Sequence, residues 1–215
     1  MASVTHIFDE LIGRYPALSP LRGELLQAHR LLASCFRAGG KLLIAGNGGS
    51  AADAAHIVGE LMKDFHHPRP LPDSMREALG DDEAGAYLAA NLQGALPAIA
   101  LTGHIALESA YANDRAPDLA MAQEVYGYAR PGDVLLAIST SGHSRNVLYA
   151  ARTARACGMR VLALTGESGG ALRALSDLTL AVPERDTYRV QELHLPRYHA
   201  LCLALEEELF GGEAG

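Results

Sequence analysis

No apolar run in this 215-residue chain reaches the roughly 18 residues that cross a bilayer, which excludes a membrane-spanning helix. Met1 to Pro16 carries Asp9, Glu10 and Arg14 and lacks the apolar core of a signal peptide, so a cytoplasmic location and no membrane association are expected. Positive charge is in deficit: 18 Lys and Arg against 25 Asp and Glu leave a net charge of −7. Phosphate backbones are held by basic surfaces, so direct nucleic-acid binding is not expected, although a local site for a small anion stays open. Cysteine is sparse. Cys35, Cys157 and Cys202 are scattered through apolar surroundings, the pattern of buried free thiols and not of a disulfide framework. No repeat, low-complexity tract or linker divides the chain, so 1–215 reads as one domain. Apolar residues make up 49% and charged residues 20%, an ordinary globular balance.

What is present is an alternation. The first 39 residues read as a helical extension, two helices divided at Pro16 to Pro20, the second with apolar residues at helical spacing through Leu25, Ala28, Leu32 and Cys35. Short apolar runs follow at Leu42–Ala45, Pro97–Leu101, Val134–Ile138, Val161–Leu164 and Leu178–Val182. Helical stretches run from Ser50 to Lys63, from about Ser144 to Cys157 and from about Tyr188 to Leu209. Runs of this kind alternating with helices predict an α/β fold, a parallel sheet covered on both faces. The segment 66–93, with Pro68, Pro70 and Pro72 and then Gly80-Asp81-Asp82-Glu83, reads as an irregular excursion carrying one or two short helices.

Two of the strand ends carry unusual loops. Ser139-Thr140-Ser141-Gly142-His143-Ser144 places four hydroxyls in six residues just before a helix. Helix-start amides and the helix dipole favour an anion there, and Gly142 allows close approach of the backbone. The same residues also suit an ordinary N-cap. The second loop is Gly46-Asn47-Gly48-Gly49-Ser50. It matches neither the dinucleotide fingerprint nor a Walker loop, but two such loops at the ends of one sheet can converge on a single ligand.

Titratable residues sit on two helices. His56 and Glu60 are spaced i, i+4, on one helical face, where they can share a metal, handle protons on one substrate, or form a plain surface pair. The last helix carries Gln191, Glu192, His194 and His199, with Gln191 and His199 about 80° apart around the axis and Pro196 between them.

Taken in order, Gly46–Ser50, Ala54–Glu60, Pro97–Leu101, Asn113-Asp114, Gly132–Leu135, Ser139–Gly142 with Ser144, Leu164–Gly166 and Arg189–His194 with His199 resemble the sugar isomerase (SIS) domain family over nearly the whole chain, above all its aldose–ketose isomerases of seven-carbon sugar phosphates. The resemblance implies a three-layer α/β/α fold with a five-stranded parallel sheet, and N-terminal helices that pack into a homotetramer with active sites at subunit interfaces. It implies a small sugar phosphate as substrate. Ser50, Ser139, Thr140, Ser141 and Ser144 would hold its phosphate within the glycine loop of Gly48 and Gly49, and Asn47 and Asp114 its hydroxyls. Glu60 would be the general base and His199 the general acid. One Zn2+ per subunit would be held by His56, Glu60, Gln191 and His199, with Gln191 also facing substrate. The implied reaction converts sedoheptulose 7-phosphate to glycero-manno-heptose 7-phosphate through an enediol. The chemistry suits the residues, because moving a proton between C1 and C2 needs a base near carbon and an acid near the carbonyl oxygen. The alternatives are a non-catalytic family member that binds phosphosugar or the replication initiator, and an isomerase of another sugar phosphate. Three features depart from the family pattern: His143 where Asn is usual, Tyr188 where an acidic residue can occur, and the long 66–93 segment.

Overall fold

The fold is described by a computed structural model covering residues 3–211. Helix α1 (Val4–Arg14) starts on Ser3, whose hydroxyl accepts the His6 amide at 3.3 Å, and ends before Pro16. A 3-10 turn, Pro16–Leu21, leads into α2 (Arg22–Arg37). The core then alternates: β1 (Leu42–Ala45), α3 (Gly49–Met62), β2 (Ala98–Ala100), β3 (Val134–Ile138), α8 (Arg145–Ala156), β4 (Arg160–Thr165), β5 (Leu178–Ala181) and α9 (Thr187–Phe210). The five strands are parallel in the order β2-β1-β3-β4-β5.

Period-two alternation along the strands makes two cores. Leu42, Ile44, Leu136, Ile138, Leu162 and Leu164 point to the face covered by α1, α2, α3 and α9. Leu43, Ala45, Leu135, Ala137, Val161 and Ala163 point to the face covered by α7 (Ala120–Tyr128) and α8. Nearly every residue of the three inner strands is buried, as expected of a sheet sandwiched between helix layers, while the edge strands β2 and β5 are mostly half-buried.

The chain leaves β1 for β2 on one side and returns to β3 on the other, so the strand order reverses between β1 and β3. Ligand crevices open beyond the strand ends at such a reversal. Both loops singled out in the sequence follow these two strands.

The 66–93 segment forms α4 (Asp73–Leu79) and α5 (Glu83–Asn91), the latter capped by Asp82, which accepts the Gly85 amide at 2.7 Å. It is pinned at its base by Arg69 and Glu206, both fully buried. Glu206 accepts from Arg69 Nε at 2.7 Å and from the amides of Phe65, His66 and His67 at 2.8, 2.8 and 3.0 Å. Burial opposes its ionisation, yet the three amides and the guanidinium win and hold its carboxyl below the usual glutamate range. The stretch 102–131, to which the sequence assigned no element, forms α6 (Ile105–Asp114) and α7. Helix α6 buries no side chain and α7 buries only Ala120, Ala122, Glu124 and Val125, so neither shows the apolar stripe that announces a helix.

Candidate active site

The β1 and β3 loops meet through their asparagines. Asn47 donates to Asn146 Oδ1 at 2.9 Å, and Asn146 donates back to Asn47 Oδ1 at 2.8 Å. The β1 loop is tight: a Cβ on Gly46 would lie 2.6 Å from the Ser50 carbonyl. Ser50 opens α3 and is 4% exposed. In the β3 loop Ser139 donates to the Ser144 hydroxyl at 3.0 Å, and the His143 amide donates to the Ser141 hydroxyl at 3.1 Å. Gly142 sits at φ +67°, and a Cβ there would stand 2.0 Å from the Gly169 carbonyl, so only glycine lets the loop close on its neighbour. Thr140 and Ser141 line a cavity of about 360 Å³ with Gly166, Glu167, Ser168 and Arg185. His143 is solvent-exposed at the α8 start, and Tyr188 is exposed, its hydroxyl accepting from Arg189 at 3.0 Å.

Helices α3 and α9 lie side by side and run the same way, since Gly49 meets Gln191, Asp53 meets His194 and His56 meets Tyr198. Along this seam three of the expected residues converge. His56 Nε2 stands 2.9 Å from Glu60 Oε1, the geometry their i, i+4 spacing allows. The His199 ring lies edge-on to His56 at 5.0 Å between centroids and packs on Phe65 at 5.4 Å. One ligand atom from each of His56, Glu60 and His199 falls within 4.8 Å of the others. Glu60 Oε2 and His199 Nε2 are buried without a hydrogen-bond partner, the Lys63 ammonium standing 3.7 Å from the Glu60 oxygen, beyond hydrogen-bond distance. Unpaired buried groups of this kind are costly, so a proton, a cation or a substrate oxygen between them would be favoured. Burial and the neighbouring His56 push the His199 imidazole below its usual range, so it is neutral at pH 7 and free to ligate or to donate one hydrogen bond.

Other expected residues stand apart from that centre. The Gln191 amide is pressed against Gly49, where an added Cβ would lie 2.4 Å from its Nε2. That is seven residues, about 10 Å of helix rise, before His56. Asp114 is exposed at the end of α6, where it accepts from Asn113 at 2.8 Å. Near it a cavity of about 430 Å³ joins Asn47 and Asn146 to Glu108 and Ser109.

Two residues of the seam, Tyr198 and Asp53, escaped the sequence reading, and His194 was singled out there without a role. Tyr198 is 2% exposed, and its hydroxyl stands 2.9 Å from His56 Nδ1 and donates to Asp53 Oδ1 at 3.3 Å. Burial, with Asp53 beside it, pushes its phenol upward, so it stays a neutral donor. Asp53 Oδ2 is buried and unpaired, 3.8 Å from Nδ1 of the fully buried His194. Asp53 had one available signal, its position three residues before His56 on the same helical face. Tyr198 had none, because adjacency to His199 does not give a side chain's direction.

The model of the SIS domain family matches residues 82–166. The phosphoheptose isomerase of Akkermansia muciniphila is 32% identical over 96% of this chain and 98% of its own length, and that of Thiobacillus denitrificans is 38% identical over the same shares. Among solved structures, phosphoheptose isomerases from Neisseria gonorrhoeae (TM-score 0.72, 34% identity, 93% of this chain and 95% of that one) and Francisella tularensis (0.75, 32%, 93% and 94%) share the fold. The five-stranded parallel sheet with its two loops at the reversal point is thus the SIS architecture. The chain belongs to the phosphoheptose isomerase family.

Proposed function

We propose that this chain is an aldose–ketose isomerase that converts sedoheptulose 7-phosphate to glycero-manno-heptose 7-phosphate. The observation that carries the reading is the convergence of His56, Glu60 and His199 with Glu60 Oε2 and His199 Nε2 left unpaired. The phosphate binds to the hydroxyls of Ser50, Ser139, Thr140, Ser141 and Ser144 and to the amides at the start of α8, with Gly48 and Gly49 giving it room. Asn47 and Gln191, at the same end of α3, hold sugar hydroxyls, as does Asp114. The Glu60 carboxylate takes a proton from C1 of the ketose while His199 gives the carbonyl oxygen at C2 a hydrogen bond and then a proton. The enediol collapses the other way: Glu60 returns its proton to C2 and the O1 proton passes to His199, so no atom is gained or lost.

The donor set fits zinc. Two imidazoles and a carboxylate are a catalytic-type set that keeps a fourth position open. With zinc bound, His56, Glu60 and His199 would hold one Zn2+ per subunit, and the ion would supply polarisation of the carbonyl in place of the hydrogen bond from the His199 nitrogen that ligates it. Gln191, held against Gly49, is given to the substrate in this reading and not to the metal. A homotetramer is proposed as well. His199 lines a surface cavity of about 260 Å³ between α1 and α9, beside Glu10 and Arg14, which packing of N-terminal helices from another subunit would close. The free thiols support a reducing, cytoplasmic setting.

The test is turnover of sedoheptulose 7-phosphate followed by NMR, with zinc supplied. Glu60→Gln is expected to lower kcat by about 10²–10⁴, the usual worth of a general base, while phosphosugar binding persists. Binding without turnover by the unaltered protein would overturn the enzyme reading and favour a non-catalytic binder.

A further inference from the structure

A tyrosine hydroxyl has one proton to give, and Tyr198 has two neighbours that could take it, His56 Nδ1 at 2.9 Å and Asp53 Oδ1 at 3.3 Å. The two choices have opposite consequences. If Tyr198 donates to His56, then Nδ1 is an acceptor, the imidazole proton sits on Nε2, and that nitrogen can only point a hydrogen at Glu60. If Tyr198 donates to Asp53, then His56 must donate from Nδ1, and its Nε2 lone pair faces Glu60 and His199. Asp53 decides between them. A carboxylate only accepts, and its Oδ2 is already buried without a hydrogen bond, with His194 Nδ1 3.8 Å away. Losing the Tyr198 proton would leave its other oxygen short as well, at a cost of about 1–3 kcal/mol; Glu60 Oε1, which gives up the His56 hydrogen in the opposite choice, has the proposed zinc to face instead. The phenol is also unable to swing elsewhere: its ring is 2% exposed and wedged edge-on against His56 at 5.5 Å and His199 at 5.0 Å.

We infer that Asp53 and Tyr198 form a relay that keeps the His56 proton on Nδ1 and presents Nε2 to the Glu60–His199 centre. Tyr198 and Asp53 are therefore positioning residues, acting through His56. The inference rests on the zinc reading in so far as zinc is what the Nε2 lone pair receives. Ligating histidines commonly depend on such a partner for their other nitrogen, and its loss costs about 10–100-fold in metal affinity.

The experiment uses the full chain and measures Zn2+ affinity by competition with a chromophoric chelator. Tyr198→Phe keeps the wedged ring and removes only the hydroxyl. Asp53→Asn keeps the shape but can offer its amide as a donor to Tyr198, which turns the relay round and puts the His56 proton on Nε2. Each variant is expected to bind zinc about 10–100-fold more weakly, with an unchanged circular dichroism spectrum. The double variant is expected to be no weaker than the worse single one, because both act through one proton. Wild-type affinity in Tyr198→Phe, or additive losses in the double variant, would overturn the relay. A wild-type protein that takes up no zinc would sink the zinc reading alone. The relay is then read from the ¹⁵N shifts of His56 in metal-free Glu60→Ala protein, where no carboxylate competes for the proton. An Nδ1–H tautomer that is lost on adding Tyr198→Phe supports it, and an identical tautomer in both proteins overturns it.

Discussion

Glu206 offers the sharpest stability prediction, because its two oxygens are fully committed. Oε1 accepts from Arg69 Nε and the Phe65 amide, and Oε2 accepts from the His66 and His67 amides. In Glu206→Gln one oxygen becomes an NH2 group. Whichever way the amide turns, two donors lose their acceptor and face a donor instead. Each unsatisfied buried donor costs about 1–3 kcal/mol, and breaking a buried ion pair costs about 3–5 kcal/mol. The two routes agree on a loss near 4 kcal/mol, which for a chain of this length lowers Tm by about 8–16 °C. Arg69→Met acts differently. It leaves Glu206 with three amide donors and deprives the Leu61 and Glu60 carbonyls of their guanidinium bonds at 2.8 and 3.2 Å. It breaks the same buried ion pair, but the three amides go on compensating the Glu206 charge, so it is expected to cost less. Urea titration and thermal melts followed by circular dichroism rank the two. If Arg69→Met costs as much as Glu206→Gln, the three backbone amides are not what makes the site stable and the reasoning fails.

Gly142→Ala is expected to abolish phosphosugar binding in a calorimetric titration, because its Cβ would overlap the Gly169 carbonyl at 2.0 Å in a left-handed backbone. Unaltered binding would show the loop is not held in this form. His194 is fully buried, and burial pushes its imidazole below the usual range. The unfolded chain therefore takes up the proton first, so stability is full above about pH 6.5 and falls towards the lowered folded value by about 1.4 kcal/mol per pH unit. His194→Gln should flatten that acid limb in urea titrations at successive pH values, and an unchanged slope would assign it to other groups. Burial pushes the Cys202 thiol up to about 12 and that of Cys35 up to about 11. A thiol-specific reagent at pH 8 is expected to modify only the half-buried Cys157 quickly in native protein. Rapid loss of all three thiols would refute that.

Strands β1, β3 and β4 were legible because parallel strands buried on both faces read as near-continuous apolar runs, and the edge strands β2 and β5 were marked by the short runs Pro97–Leu101 and Leu178–Val182. The pairing of His56 with Glu60 was legible for a local reason, since i, i+4 geometry needs no tertiary information. What lay hidden was long-range or alanine-built. Helices α6 and α7 lack a large apolar stripe. The relation of Gln191 to His199 depended on which α3 turn each would meet, and parallel packing sends Gln191 to Gly49 and His199 to His56. Asn146, which ties the β1 and β3 loops together, is an unremarkable polar residue until the sheet order brings β1 beside β3.

The inward face of α9 explains why the seam was hard to read and also what it is for. A helix that serves only to cover a sheet buries apolar residues, yet α9 buries His194, Arg197, Tyr198 and Glu206. Arg197 is fully enclosed, donates to the Leu193 and Leu180 carbonyls at 2.9 Å each, and is pulled down to about 9 by its burial. Buried charges of this sort stabilise a fold weakly, and apolar replacements of similar volume are often neutral or better. Their geometry is the more telling feature. Glu206 fixes Phe65, whose ring backs His199, and through Arg69 it caps the turn of α3 that carries Glu60. Tyr198 and Asp53 meet at His56. The polar groups of the seam thus lead, through one or two contacts, to the three residues that converge. A face that gives up apolar burial in order to aim side chains has no clean helical stripe, and that is why its sequence pattern is faint.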